Sequence, residues 1–263
     1  MAEKVAVLGP AGTFSEQAAE RMYPRAELEY LDGVEEVFRR VSGGGELGVV
    51  AMENSLEGSV GMTMESLLKF DLKIVKETTL DILLSLMARP GVNPLDVKVV
   101  MSHPHALAQC RDYLSKNYPG AKVQGGASTT EAMTEAAKRG DAAAVGLKEA
   151  GLRYGLVPLA EGVQDQESQT RFIALSKKPG EGTKTSIIFA SKDEPGALYS
   201  ILRVFADANV NLTKIESRPS RRKLGEYWFY VDYENRGKFY RDRELLHMRI
   251  KERSTMFKDL GSY

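Results

Sequence analysis

Between residue 4 and residue 177, short apolar runs alternate with helix-forming segments, a rhythm that few folds accommodate. Val5-Ala-Val-Leu8, Leu28-Glu-Tyr-Leu31, Leu47 to Met52, Val97 to Met101, Lys122-Val-Gln, Ala142 to Val145, Leu156 to Leu159 and Phe172 to Leu175 read as strands. Helical patterns lie between most of them, including Val34 to Val41, a segment through Phe70, one through Leu114 and one through Arg139. The pattern predicts parallel α/β sheets, in which ligands bind at the carboxyl ends of the strands. Lys73 to Met87 is long, rich in Ile, Leu, Val and Thr, and without a turn signal. It predicts an extended crossing between two bodies.

Several strand-to-helix junctions are polar. Thr13 to Glu16, Asn54 to Glu57 and Ser128 to Glu131 all place a capping side chain three residues before a carboxylate. Ser102 ends a strand before His103-Pro-His105. If all four are helix starts, unpaired N–H groups and the positive ends of helix dipoles converge on one cleft, which suits a small dianion. Each hydroxyl is equally explained as a good cap, worth about 1 kcal/mol. Gly9-Pro-Ala-Gly-Thr-Phe14 lacks the third glycine of a dinucleotide loop and the lysine of a P-loop.

Lys plus Arg and Asp plus Glu both total 36, so no net charge favours nucleic acid or an anionic membrane as partner. No run of 18 apolar residues suggests a membrane span, and the expectation is a cytoplasmic protein. Cys110 is alone, which excludes an internal disulfide, and its apolar helical setting predicts an inert buried thiol. His103 and His105 lack a third ligand and read as capping or solvent-facing residues. His247 sits in a charged helical stretch, and neither a metal nor a histidine mechanism is expected.

Lys177 to Thr183 is a polar Pro/Gly linker. Beyond it lie a strand at Thr185 to Ala190, a helix at Pro195 to Ala208, and strands at Val210 to Ser217 and Tyr227 to Tyr233. A helix at Phe239 to Ile250 and a strand at Ser254 to Leu260 follow. The order βαββαβ is the ferredoxin-like split motif.

Thr170-Arg-Phe172 joins a hydroxyl, a fixed cation and an aromatic ring. Such a group can grip a carboxylate and supply a proton, though in isolation it is equally a strand entry with a surface Arg. Together with Gly9 to Ser15, Gly48 to Ser55, Glu57-Gly-Ser59, Ser102 to Cys110, Gly196-Ala-Leu198 and Glu216-Ser-Arg-Pro219, it makes the chain resemble prephenate dehydratase with a C-terminal ACT regulatory domain. The family pattern has Asn where this chain has Ser168, and Pro-Ile where it has Ala51-Met52.

The resemblance implies a two-lobed unit like periplasmic binding proteins at residues 1–179, with lobe one at 1–77 and 160–179 and lobe two at 78–159, plus an ACT domain at 183–263. It implies conversion of prephenate to phenylpyruvate, water and CO2 in phenylalanine synthesis, without metal or organic cofactor. Arogenate as substrate and a non-catalytic sensor of small acids remain alternatives. Thr170 would be the acid, Arg171 a carboxylate anchor and Phe172 a wall. Thr13, Phe14, Ser15, Asn54, Ser55, Ser128 and Thr129 would bind substrate. L-Phenylalanine is expected between paired ACT domains of a homodimer or homotetramer, at Gly196, Ala197, Leu198, Asn209, Asn211, Glu216, Ser217, Arg218 and Pro219.

Overall fold

The computed structural model describes residues 3–220, 226–235 and 243–263. Along the chain the elements are β1 (Lys4–Leu8), α1 (Phe14–Met22), β2 (Glu27–Leu31), α2 (Val34–Ser42), β3 (Leu47–Asn54), β4 (Gly58–Ser59), α3 (Gly61–Lys69), β5 (Lys73–Asp81) and β6 (Ser85–Ala88). Next come β7 (Val99–Ser102), α4 (Pro104–Gln109), α5 (Arg111–Asn117), β8 (Lys122–Gly125), α6 (Thr129–Ala137), β9 (Ala142–Gly146), α7 (Lys148–Arg153), β10 (Val157–Glu161) and β11 (Gln169–Ser176). The last are β12 (Lys184–Ser191), α8 (Ala197–Asp207), β13 (Leu212–Pro219), β14 (Tyr227–Glu234), α9 (Arg243–Arg253) and β15 (Ser254–Ser262).

These strands form three sheets. The first runs β2-β1-β3-β11-β5 with β4 beside β3, the second β10-β6-β9-β7-β8, and the third β13-β14-β12-β15. The segment expected as a crossing is β5 of the first sheet followed by β6 of the second, separated by Ile82 to Leu84. The second sheet is mixed, not parallel throughout. β7 is parallel to β8 and β9, but β6 is antiparallel to both β9 and β10. Its inner strands β6, β7 and β9 are buried on both faces, and alternation divides their side chains between them: Val100, Ala143 and Val145 pack into one core, Val99, Met101, Ala142 and Ala144 into the other.

Local chemistry displaced several expected elements. No helix starts at Asn54; its Oδ1 accepts the N–H groups of Leu56 and Glu57 at 2.9 and 3.2 Å, closing a turn into β4. Ser102 is likewise not a cap, since its hydroxyl donates to the Val145 carbonyl at 2.7 Å and His103 takes the capping position of α4. The helix expected through Leu114 breaks at Cys110, where ψ is 16°. Burial pushes the Cys110 thiol up to about 12, as an inert residue requires.

By contact the chain divides into two compact units, Met1–Val37, Val49–Val60 and Thr78–Phe172 in one, Phe38–Gly48, Gly61–Glu77 and Ile173–Tyr263 in the other. In the second, the third sheet has the strand order of the split βαββαβ motif, and one face packs on α8 and α9 through Ile187, Phe189, Ile201, Phe205, Val231 and Ile250. The same unit holds α3, whose C-terminal carbonyls receive Lys258: its Nζ lies 2.8, 3.1 and 2.6 Å from the oxygens of Leu67, Leu68 and Phe70. The start expected for the last helix, Phe239, lies outside the described residues; α9 is seen from Arg243. His247 on it is half-buried rather than part of a charged surface, 2.7 Å from the Tyr233 hydroxyl, and desolvation lowers its pKa to about 4.

Candidate active site

Within the first unit lies a cavity of about 750 Å³. That is within the range of small-molecule sites. Its walls come from strand ends and helix starts of the first and second sheets. Thr13 caps α1, accepting the Glu16 N–H at 3.4 Å, and Ser128 caps α6, accepting the Glu131 N–H at 3.0 Å. Helix geometry leaves first-turn N–H groups without intrahelical partners, so both ends present donors and a positive dipole end. The loop before α1 is held closely. Gly12 has φ +84°, and a Cβ added there would stand 2.9 Å from that of Ala150. Its N–H donates to the buried Glu16 carboxylate, which also meets the Arg153 guanidinium at 2.6 Å. Burial alone would push the Glu16 carboxyl up; the Arg153 and Gly12 hydrogen bonds and the Arg153 charge outweigh it and hold it below the ordinary value.

The polar centre is at the carboxyl end of β3 and the start of β11. Asn54 Nδ2 donates to Ser168 Oγ at 2.7 Å and to Thr170 Oγ1 at 2.9 Å. Because Asn54 Oδ1 is held by two backbone N–H groups, the amide has only one orientation that satisfies all four contacts. Thr170 Oγ1 therefore accepts from Asn54, and its own proton remains to be donated elsewhere. Strand alternation sends the next pair to the opposite face: Arg171 Nε lies 2.7 Å from Glu53 Oε1 and is buried.

Of the residues expected to bind substrate, Thr13, Phe14, Asn54, Ser128, Thr129 and Thr170 line this cavity. Ser15, Ser55, Arg171 and Phe172 do not. Ser15 and Phe172 are buried, and the Ser55 backbone and side chain bond instead to the backbone of Gln169, at 2.8 and 3.0 Å. Sequence reasoning missed Glu57, His105 and Gln109 as lining residues. Glu57 Oε1 is paired with His105 Nε2 and accepts from Gln109 Nε2 at 3.2 Å. The signal was present in the four-residue spacing of His105 and Gln109, one helical face. His103 also lines the cavity and, as expected, caps, its Nδ1 accepting the His105 N–H at 3.3 Å. Among the described residues no three His, Cys, Asp or Glu side chains gather as a metal site needs, and no helix is long and apolar enough to cross a membrane.

The residues expected to hold an effector are divided in the second unit. Gly196, Ala197 and Leu198 line a cavity of about 490 Å³ with Tyr227 and Phe229. Arg218 and Pro219 line a separate one of about 250 Å³, and Glu216 pairs with Arg218 at 3.0 Å and Lys214 at 3.2 Å. Asn209, Asn211 and Ser217 line neither. Asn209, with φ 51°, ends α8 in the left-handed conformation that asparagine tolerates, and the Asn211 carbonyl accepts the Glu234 N–H at 3.0 Å.

The family "Prephenate dehydratase" matches residues 5–180 and "ACT domain" residues 185–238. A prephenate dehydratase of Methanocaldococcus jannaschii is 42% identical, covering 97% of this chain and 95% of its own. The Arabidopsis thaliana protein named arogenate dehydratase/prephenate dehydratase 2 is 38% identical over 99% of this chain and 72% of its own. Among solved structures, prephenate dehydratase from Arthrobacter aurescens in complex with L-Phe has TM-score 0.86 and 33% identity, covering 98% of this chain and 88% of that one. A quorum quenching acylase, GqqA, has TM-score 0.84 and 27% identity, covering 98% and 97%.

Proposed function

Since the chain belongs to the prephenate dehydratase family, we propose that its cavity binds prephenate and that Thr170 protonates the departing ring hydroxyl. The protein is a prephenate dehydratase with a C-terminal ACT domain, releasing phenylpyruvate, water and CO2 in phenylalanine synthesis. The electron pair of the bond to the ring carboxylate moves into the ring as CO2 leaves, and the C–O bond to the hydroxyl breaks as that oxygen takes a proton. Aromatisation drives the step, so no strong base is needed. One observation carries the role of Thr170: the fixed Asn54 amide occupies a lone pair of its oxygen and leaves the proton to donate. The same amide stabilises charge developing on Oγ1. Among the described residues no Lys or Arg lines the cavity, and the two substrate carboxylates are held by neutral donors at the starts of α1 and α6. Phe14 supplies an apolar wall, and Arg171, paired with Glu53, supports the Asn54–Thr170 alignment from the other face. The similarity to an acylase does not alter this, because fold alone does not set chemistry.

Regulation completes the reading. L-Phenylalanine binds at a seam between ACT domains of two copies, in a homodimer or homotetramer, and lowers activity by a coupling of about 1–3 kcal/mol. Separation of Gly196–Leu198 from Arg218–Pro219 in one chain supports a site that a second copy finishes. The test is direct: incubated with prephenate, the protein yields phenylpyruvate absorbance. Prephenate binding by calorimetry without product would favour a sensor.

A further inference from the structure

Among the described residues the cavity carries two carboxylates, Asp32 on its exposed rim and Glu57, and its only lining side chains able to be cationic are the imidazoles of His103 and His105. A small dianion gains nothing from Glu57, yet that carboxylate stands on the β3–β4 turn, three residues beyond Asn54. Across the cavity, α4 meets it with two side chains one helical turn apart. His105 Nε2 pairs with Glu57 Oε1, and Gln109 Nε2 donates to the same oxygen.

The geometry points to a selectivity device: His105, with Gln109, occupies the Glu57 carboxylate and thereby denies it to a substrate ammonium group, so that the cavity prefers a keto acid over the corresponding amino acid. This rests on the dehydratase reading. Prephenate and arogenate share the ring, the ring hydroxyl and both carboxylates, and differ only in a side-chain carbonyl or ammonium. An accessible carboxylate in a partly desolvated cavity attracts the ammonium form and repels the other. A carboxylate whose Oε1 already meets an imidazole and an amide has that oxygen filled, so a substrate ammonium can no longer pair with it there. His105 and Glu57 thus act as specificity residues, without a part in the bond-breaking step.

The experiment compares both acids on the full-length protein, by turnover and by calorimetric binding. Wild type favours prephenate at least tenfold in kcat/KM. His105→Ala raises the arogenate-to-prephenate ratio tenfold or more, His105→Gln raises it three- to fivefold, and adding Glu57→Gln to His105→Ala restores the wild-type ratio. Three results would overturn the proposal: a wild type that prefers arogenate, a His105→Ala variant in which both acids fall by one factor, as a purely structural contact predicts, or a gain that survives Glu57→Gln. If the wild type binds both acids but turns over neither, the dehydratase reading fails. The binding ratios then still decide whether Glu57 selects against the amine.

Discussion

Thr13, Phe14, Asn54, Ser128, Thr129 and Thr170 come from distant parts of the chain and line one cavity within one compact unit. The residues expected to hold phenylalanine are close together in sequence, yet Gly196–Leu198 and Arg218–Pro219 line different cavities of the other unit. Proximity along the chain is therefore a poor guide to a shared site. The cavity residues stand at the carboxyl ends of β1, β3 and β8 and at the start of β11, which strand pairing brings to one cavity, whereas Gly196–Leu198 open α8 and Arg218–Pro219 close β13, one helix and one strand later.

That contrast can be broken most directly at Thr170. Thr170→Ala is expected to lower kcat for phenylpyruvate formation about 10²–10⁴-fold, as loss of a general acid does, while leaving phenylalanine affinity unchanged by calorimetry. A loss below about threefold would remove Thr170 from the role of acid.

The next effect concerns how the cavity is held. Glu16→Gln is expected to cost about 2 kcal/mol in denaturant unfolding, because a charged carboxylate holding Arg153 and the Gly12 N–H is replaced by a neutral amide. Since the folded-state pKa is lowered, the stability that Glu16 contributes is full above the unfolded carboxyl value of 4.5 and is lost as pH falls through the lower folded value. In the variant that part of the acid sensitivity disappears. His247 adds a separate window: half-buried and neutral with a pKa of about 4, it makes stability decline as pH falls from about 6.5 towards 4, and His247→Gln should flatten that decline.

On the regulatory side, Leu198→Ala should weaken phenylalanine inhibition about tenfold, roughly 1.4 kcal/mol, with kcat unaltered. If inhibition instead vanished only in variants that remain monomeric at assay concentration, the seam between copies would matter more than this cavity. Smallest is Ser168→Ala, which removes one of two acceptors of Asn54 Nδ2 and should reduce kcat about two- to fivefold, because the bond to Thr170 still orients the amide. A loss as large as that of Thr170→Ala would show that the serine, standing where the family has asparagine, is itself part of the proton-donating group.

Much of the architecture was legible in the residues. Local patterns marked most strands and helices, two hydroxyl caps at Thr13 and Ser128, and the βαββαβ order after the linker, because periodicity and capping act over a few residues. Asn54 misled for the same reason: its spacing to Glu57 fits a capping box, but a turn satisfies the same two backbone N–H groups. Thr170 and Arg171 are adjacent in sequence, and only pairing of β11 in a sheet sends one toward the cavity and the other to Glu53. The sequence by itself determined which residues can carry a proton or a charge, and where two helices start, at Thr13 and Ser128. Tertiary structure alone decided which share a cavity, since that depends on strand order and on which face each side chain takes, and brought Glu57 on the β3–β4 turn against His105 and Gln109 on α4.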